Sequence, residues 1–166
     1  MGRQMKKYSI SIFFPCYNEE QNVTRVTMEA IKVAKRISDD YEIIIVNDGS
    51  SDRTGEIAEE LSHKNQGVRV IHHEVNQGYG AALQTGFKNA TKELVFYTDG
   101  DGQFNIEELE MLLPLIEKAD IVSGYRICRQ DPFIRKLNAF LWGALVNALF
   151  RINVSDVDSA FKLYKR

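Results

Sequence analysis

Apolar residues fall in short blocks, and two periods alternate along the chain. Tyr8–Phe14 is an almost unbroken apolar run and predicts a strand buried on both sides. Asn18 and Gln21 then stand at capping-box spacing. Val23, Val26, Ala30, Ala34 and Ile37 follow three and four apart, predicting a helix with one apolar face. Glu42–Val46 predicts a second strand, stopped by Asn47-Asp48-Gly49-Ser50, and a helix runs from about Asp52 to His63. Val68–His72 is a third strand, Gly78–Asn89 a Gly/Ala-rich helix and Glu93–Thr98 a fourth strand. Asn105 caps the next helix, with Glu108 three residues on. Its inner face is Leu109, Leu112, Leu113 and Ile116, and Pro114 should kink or shorten it. Ala119–Ser123 predicts a fifth strand, Pro132–Phe150 a long helix and Ser159–Tyr164 a last strand.

Alternation at this spacing predicts an α/β fold with a mostly parallel sheet flanked by helices on both faces. In such sheets ligands bind beyond the C-terminal ends of the strands. Four polar clusters fall there: 15–20, 47–52, 99–103 and 124–126.

The most informative cluster is Tyr97-Thr98-Asp99-Gly100-Asp101-Gly102-Gln103. Residues two apart in an extended segment project the same way, so Asp99 and Asp101 are aimed at one point beyond the fourth strand. Two carboxylates flanked by small Gly100 and Gly102 suit Mg²⁺ or Mn²⁺, the remaining ligands coming from water and a substrate diphosphate. A solvated Asp-Gly turn is the plain alternative.

Tyr17 offers a ring face and a hydroxyl to a base or ribose, and Glu19 an acceptor for ribose hydroxyls, although Asn18 and Glu19 also suit a plain helix start. Asp48 is an acceptor for base N–H groups, or part of an ordinary turn. Arg126 suits a diphosphate through paired hydrogen bonds, or is a surface arginine. Asp156 and Asp158 form a second carboxylate pair, or a polar loop. Gly78 and Gly80 do not complete a dinucleotide fingerprint and are read as allowing close helix packing; no P-loop is present. The His72-His73 pair is read as a strand end rather than a metal site.

The chain has 166 residues, a net charge of −2, 44% hydrophobic and 27% charged residues. These values fit one globular domain over residues 1–166 and argue against non-specific nucleic-acid binding. Two cysteines, Cys16 and Cys128, without CxxC spacing fit unpaired thiols in a reducing compartment. No run reaches the ~18 apolar residues of a transmembrane helix. Leu137–Phe150 carries Phe140, Leu141, Trp142, Leu145, Leu149 and Phe150 between basic ends, which suits an interfacial helix and a buried one equally.

In order and spacing, the motifs Phe14-Pro15-Cys16-Tyr17-Asn18-Glu19-Glu20, Ile45-Val46-Asn47-Asp48-Gly49-Ser50-Ser51-Asp52-Arg53-Thr54, Asn76-Gln77-Gly78-Tyr79-Gly80-Ala81-Ala82, Thr98-Asp99-Gly100-Asp101-Gly102-Gln103, Gly124-Tyr125-Arg126 and Val157-Asp158-Ser159-Ala160-Phe161-Lys162-Leu163-Tyr164 resemble the family 2 glycosyltransferases of the GT-A fold. Within that family they resemble the polyprenyl-phosphate sugar transferases of the dolichyl-phosphate mannosyltransferase type. The resemblance spans about residue 8 to 166. It implies a Rossmann-like GT-A sheet and an inverting, metal-dependent sugar transfer from a GDP- or UDP-sugar to a lipid phosphate.

Carried over, Pro15, Tyr17 and Glu19 contact the nucleotide, and Val46 and Asp48 flank the base. Asp99, Gly100 and Asp101 meet the diphosphate, Asp99, Asp101 and Gln103 hold Mg²⁺ or Mn²⁺, and Arg126 contacts a phosphate. Asp101 would be catalytic. Asp156 or Asp158 would serve as base if the acceptor were a hydroxyl; a lipid phosphate needs positioning more than a base. Asn47 departs from the family's usual Asp, and Cys16 from its usual Ala. The resemblance also implies a peripheral place at the cytoplasmic face of a membrane, and that the chain is a catalytic domain truncated at its C-terminal end. Two other readings stand beside it: transfer to a polysaccharide or other hydroxyl acceptor, and a non-catalytic nucleotide-sugar-binding module.

Overall fold

In a computed structural model, which describes residues 8–125, 141–143, 145–146, 148–149 and 159–166, the two periods resolve into strands and helices that alternate. The strands are β1 (Ile10–Cys16), β2 (Tyr41–Asp48), β3 (Val68–His73), β4 (Leu94–Thr98), β5 (Ile121–Ser123) and β6 (Phe161–Lys165). The helices are α1 (Val23–Ile37), α2 (Thr54–Lys64), α3 (Tyr79–Asn89) and α4 (Leu109–Ile116). Arg126, Cys128, Asp156, Asp158 and most of Leu137–Phe150 lie outside the described residues.

The sheet order is β3-β2-β1-β4-β6-β5. β1 pairs in parallel with β2 and β4, and β2 with β3. β6 runs antiparallel between β4 and β5. The central strands are buried on both faces, hence their unbroken apolar runs. In β6, buried Phe161 and Leu163 alternate with less buried Lys162 and Tyr164, as expected of an antiparallel strand.

One face carries Ile10, Ile12, Phe14, Ile43 and Ile45 against α1, α2 and α4. The other carries Phe13, Ile44, Val46, Val95 and Tyr97 against α3. There Phe13, Phe87, Tyr97 and Tyr164 form an aromatic cluster whose neighbouring ring centroids lie 4.9–6.2 Å apart. Register brings Cys16, Asn47 and His72 side by side, so three strands end on one line.

Two helix starts differ from expectation. α1 begins at Val23, not at Asn18, because Asn18 has φ 57°, a left-handed conformation that asparagine tolerates and no helix contains. Its side-chain oxygen accepts from the Ser51 N–H at 2.9 Å instead, tying the β1–α1 loop to the β2–α2 loop. Asn105 does cap, its oxygen accepting from the Glu107 N–H, but it heads a 3-10 turn, Ile106–Glu108, ahead of an α4 of eight residues containing Pro114.

Glu42, at the start of β2, is buried and accepts from the Ser11 hydroxyl, the Thr91 N–H and hydroxyl, and Arg69. Burial opposes its ionisation, but these donors outweigh it and hold the carboxyl below its ordinary 4.5. Its stabilising contribution is therefore complete above pH 4.5 and is lost as pH falls through the lower folded-state value. Glu42→Gln is expected to cost about 1.5–3 kcal/mol at pH 7, and less at a pH well below 4.5. Urea melts at both pH values measure the difference.

Candidate active site

The C-terminal edge of the sheet is held together before any ligand arrives. The Ser50 hydroxyl accepts from the Asn18 N–H, the Thr54 hydroxyl from the Glu19 N–H, and Asp52 from the Glu20 N–H. Asp52 also accepts from the Thr54 N–H at the head of α2. Burial works against this carboxylate's charge, and these donors keep it below the usual range. Two loops that follow neighbouring strands thus form one rigid wall.

Above β2 and β3 the wall is built on Asp48. This side chain is buried, yet borders a cavity. Its Oδ1 accepts from the Gln77 N–H at 2.9 Å and lies 2.6 Å from His73 Nδ1; its Oδ2 accepts from the Gly78 N–H at 3.0 Å. Burial disfavours the charge, but these three partners outweigh it and hold the carboxyl below its ordinary value. An ionised carboxylate only accepts, so His73 Nδ1 carries a hydrogen, and Nε2 lies 2.9 Å from the Thr85 hydroxyl. The histidine pair ends β3, as expected. His73 fixes Asp48, whereas His72 accepts from the Asn47 amide and meets Glu59 through its other nitrogen. Asn47 therefore faces His72 and does not line the cavity.

Asp99 and Asp101 both border the same cavity. They do so from a turn after β4, not from an extended segment, so the expected strand geometry is replaced by a loop with the same outcome. The Tyr79 hydroxyl donates to Asp99 Oδ1 at 2.7 Å, and the Gln103 N–H donates to Asp101 Oδ1 at 2.9 Å. Burial, followed by the Asp99 bond, pushes the Tyr79 phenol well above its ordinary value, so it stays a donor. Arg25 of α1 donates to the Gly102 carbonyl at 3.2 Å, holding the far end of the turn. A Cβ at Gly100 would lie 2.5 Å from the Pro15 carbonyl oxygen and 2.7 Å from Cys16 Sγ, so the turn rests directly on the end of β1. Burial, then Glu19 and Asp52, drives the Cys16 thiol far up, so it stays protonated and unreactive.

Pro15, Tyr17, Glu19, Asp48, Asp99, Gly100 and Asp101 thus border one cavity of about 390 Å³. Tyr17 is half exposed at its mouth. Val46, expected to flank the base, is fully buried in the core under α3, and its side chain does not line the cavity. Gln103, the expected third metal ligand, borders neighbouring hollows with Phe104 and Asn105 while its N–H reaches the Asp101 carboxylate. Arg126, Asp156 and Asp158 are outside the described residues. Sequence reasoning missed Asn76, Gly78 and Tyr79 as cavity residues. They too follow a strand, and the rule that selected the other clusters would have found them. Gly78 is not a packing glycine as expected: its φ is 88° and nothing lies near its missing Cβ. Gly80 likewise meets nothing, and the close-packed glycine is Gly86.

Asp99 and Asp101 fit a hard divalent cation, having oxygen donors only. Among the described residues no group of three or more His, Cys, Asp and Glu gathers at one point.

The model of glycosyl transferase family 2 matches residues 11–166. An undecaprenyl-phosphate 4-deoxy-4-formamido-L-arabinose transferase of Proteus mirabilis is 31% identical over 162 residues, which cover 95% of this chain and 49% of that one. A dolichyl-phosphate beta-glucosyltransferase of Trichomonas vaginalis is 31% identical over 170 residues, 92% of this chain and 50% of that one. The chain spans about half the length of the curated relatives it matches. Among solved structures, glucosyl-3-phosphoglycerate synthase of Mycobacterium tuberculosis superposes with a TM-score of 0.71 at 24% identity, covering 95% of this chain and 57% of that one. A mannosyltransferase of Pyrobaculum calidifontis, solved with GDP-Man and Mn²⁺, gives 0.67 at 20%, over 95% and 44% of the two chains. These likenesses place the sheet in the GT-A fold. With the match running from the second residue of β1 to the end of the chain, this protein belongs to glycosyl transferase family 2.

Proposed function

We propose that the chain carries the catalytic site of an inverting glycosyltransferase that moves a sugar from a nucleoside diphosphate to a polyprenyl phosphate. The observation that carries this reading is the convergence of Asp99 and Asp101 with Asp48 and Tyr17 on one cavity at the C-terminal edge of the sheet. Asp48 reads the base, Tyr17 and Glu19 border the nucleoside, and Asp99 and Asp101 stand where the diphosphate leaves. These two aspartates would hold Mg²⁺ or Mn²⁺, which when bound neutralises charge building on the departing diphosphate. A lipid phosphate is already an anion near neutral pH, so the chain's task is to orient it rather than to deprotonate it. The polyprenyl-phosphate substrates named for both relatives favour this acceptor.

Among the described residues no helix is long and apolar enough to cross a membrane. Leu141, Trp142, Leu145 and Leu149 lie on helical positions and each is at least half exposed. That exposure favours the interfacial reading of this segment and a peripheral place at a membrane surface, which we propose is the cytoplasmic face.

The test is transfer of labelled sugar from UDP- and GDP-sugars to undecaprenyl or dolichyl phosphate in detergent, with Mn²⁺ and with chelator. The expected result is a metal-dependent glycolipid. Product on an oligosaccharide but not on the lipid phosphate would shift the reading to a hydroxyl acceptor. Nucleotide binding with neither transfer nor hydrolysis would leave a binding module. Tyr79→Phe, which removes the donor that orients Asp99, is expected to weaken Mn²⁺ binding about tenfold by calorimetry.

A further inference from the structure

Asp48 is the base-reading group in the reading above, and this inference rests on it. An ionised carboxylate has about four acceptor positions, two on each oxygen. On Oδ1 both are taken, by the Gln77 N–H and by His73 Nδ1–H. On Oδ2 one is taken, by the Gly78 N–H. A single position is left, on Oδ2, and the residue is only 3% exposed where it borders the cavity.

This arrangement has little freedom to change. Gly49 has φ 66°, and a Cβ there would stand 2.4 Å from the Asn76 N and the Val75 carbonyl carbon, so the loop that follows β2 is pressed onto the loop that donates to Asp48. His73 is held from its other side by Thr85. The carboxylate cannot turn a two-oxygen edge towards the cavity without losing a buried partner.

We infer that the donor's base is uracil, and that the Asp48–His73 pair excludes guanine. Uracil presents one N–H, at N3, between two carbonyl oxygens. Guanine presents N1–H beside its exocyclic amine, an edge that a carboxylate satisfies with both oxygens. Here Asp48 has no position for the second of guanine's donors, so the paired contact that guanine's edge calls for is left incomplete, which is where binding discriminates. The carbonyl oxygens of uracil have a donor within the same wall: Asn76 borders the cavity and uses its side-chain oxygen on the Gly78 N–H, keeping its amide hydrogens as donors.

Calorimetry of the chain with UDP and with GDP, each with Mn²⁺, decides the matter without any variant. The expected result is UDP binding about tenfold or more tighter than GDP. GDP binding as tightly as UDP, or tighter, overturns the inference and leaves the nucleotide-sugar reading standing. Binding of neither overturns both. His73→Phe, with its fold checked by circular dichroism, frees an acceptor position on Oδ1 and is expected to narrow the UDP preference. An unchanged preference in the folded variant overturns the role given to His73.

Discussion

Asp101→Ala is expected to reduce metal-dependent sugar transfer or donor hydrolysis by about a thousandfold. The melting temperature should barely move. Asp101 sits on a turn, and its Oδ1 accepts from the Gln103 N–H, a local bond whose loss costs about 1 kcal/mol at most. In the proposed mechanism the substitution removes one of the two carboxylates beside the departing diphosphate, where negative charge grows most during the reaction. Asp101→Asn keeps the shape and the acceptor oxygen for Gln103 but removes the charge. It should therefore fall nearly as far in rate, and this separates charge from packing. Mn²⁺ titration followed by electron paramagnetic resonance supplies a second readout: both variants should lose the wild-type site. Retained Mn²⁺ affinity together with retained transfer would remove Asp101 from the proposed mechanism.

Gly86→Ala is expected to destabilise the fold by about 2 kcal/mol or more, through overpacking. A Cβ there would stand 2.2–2.3 Å from the Phe13 ring. Phe13 is fully buried, and its ring meets Phe87 at 4.9 Å and Tyr97 at 5.7 Å, so it has nowhere to go. Relief must come from α3 lifting off the sheet, and α3 opens with Tyr79, the donor to Asp99. The variant should thus lose both melting temperature and metal affinity. Gly80→Ala in the same helix is the control. Open space surrounds its missing Cβ, so the helix propensity of alanine should stabilise the protein by up to about 1 kcal/mol. Differential scanning calorimetry of the two variants gives opposite signs if this account holds.

The fold was legible because the central strands are two-sided. Ile43, Ile44, Ile45 and Val46 are all buried, and such runs bounded by polar turns leave little choice but a parallel sheet. The candidate site was legible for the same reason: strand ends place the polar clusters. What escaped was anything that depends on loop conformation. Asn18 looked like a cap and is a stitch between loops, because its left-handed backbone turns the side chain towards Ser51. The side chain of Val46 is core although it shares a face of β2 with Asp48, because it lies two residues deeper, under α3. His73 could not be singled out, since its role comes from register with Asp48 across two strands. Gln103 borders adjoining hollows after the turn through Gly102, φ 70°, while its N–H stays on Asp101.

The antiparallel strand has a consequence for biogenesis. β6 is the only bridge in the described sheet between β4 and β5, so the apolar edge Leu94-Val95-Phe96-Tyr97 has no pairing partner on that side until residues 161–165 leave the ribosome. A nascent or nicked chain lacking those residues exposes a bare, sticky margin of the kind that recruits other chains. Clients of holdase chaperones should therefore include ribosome-bound forms stalled before residue 161, and soluble yield on expression should drop sharply for any truncation that removes this late-arriving strand.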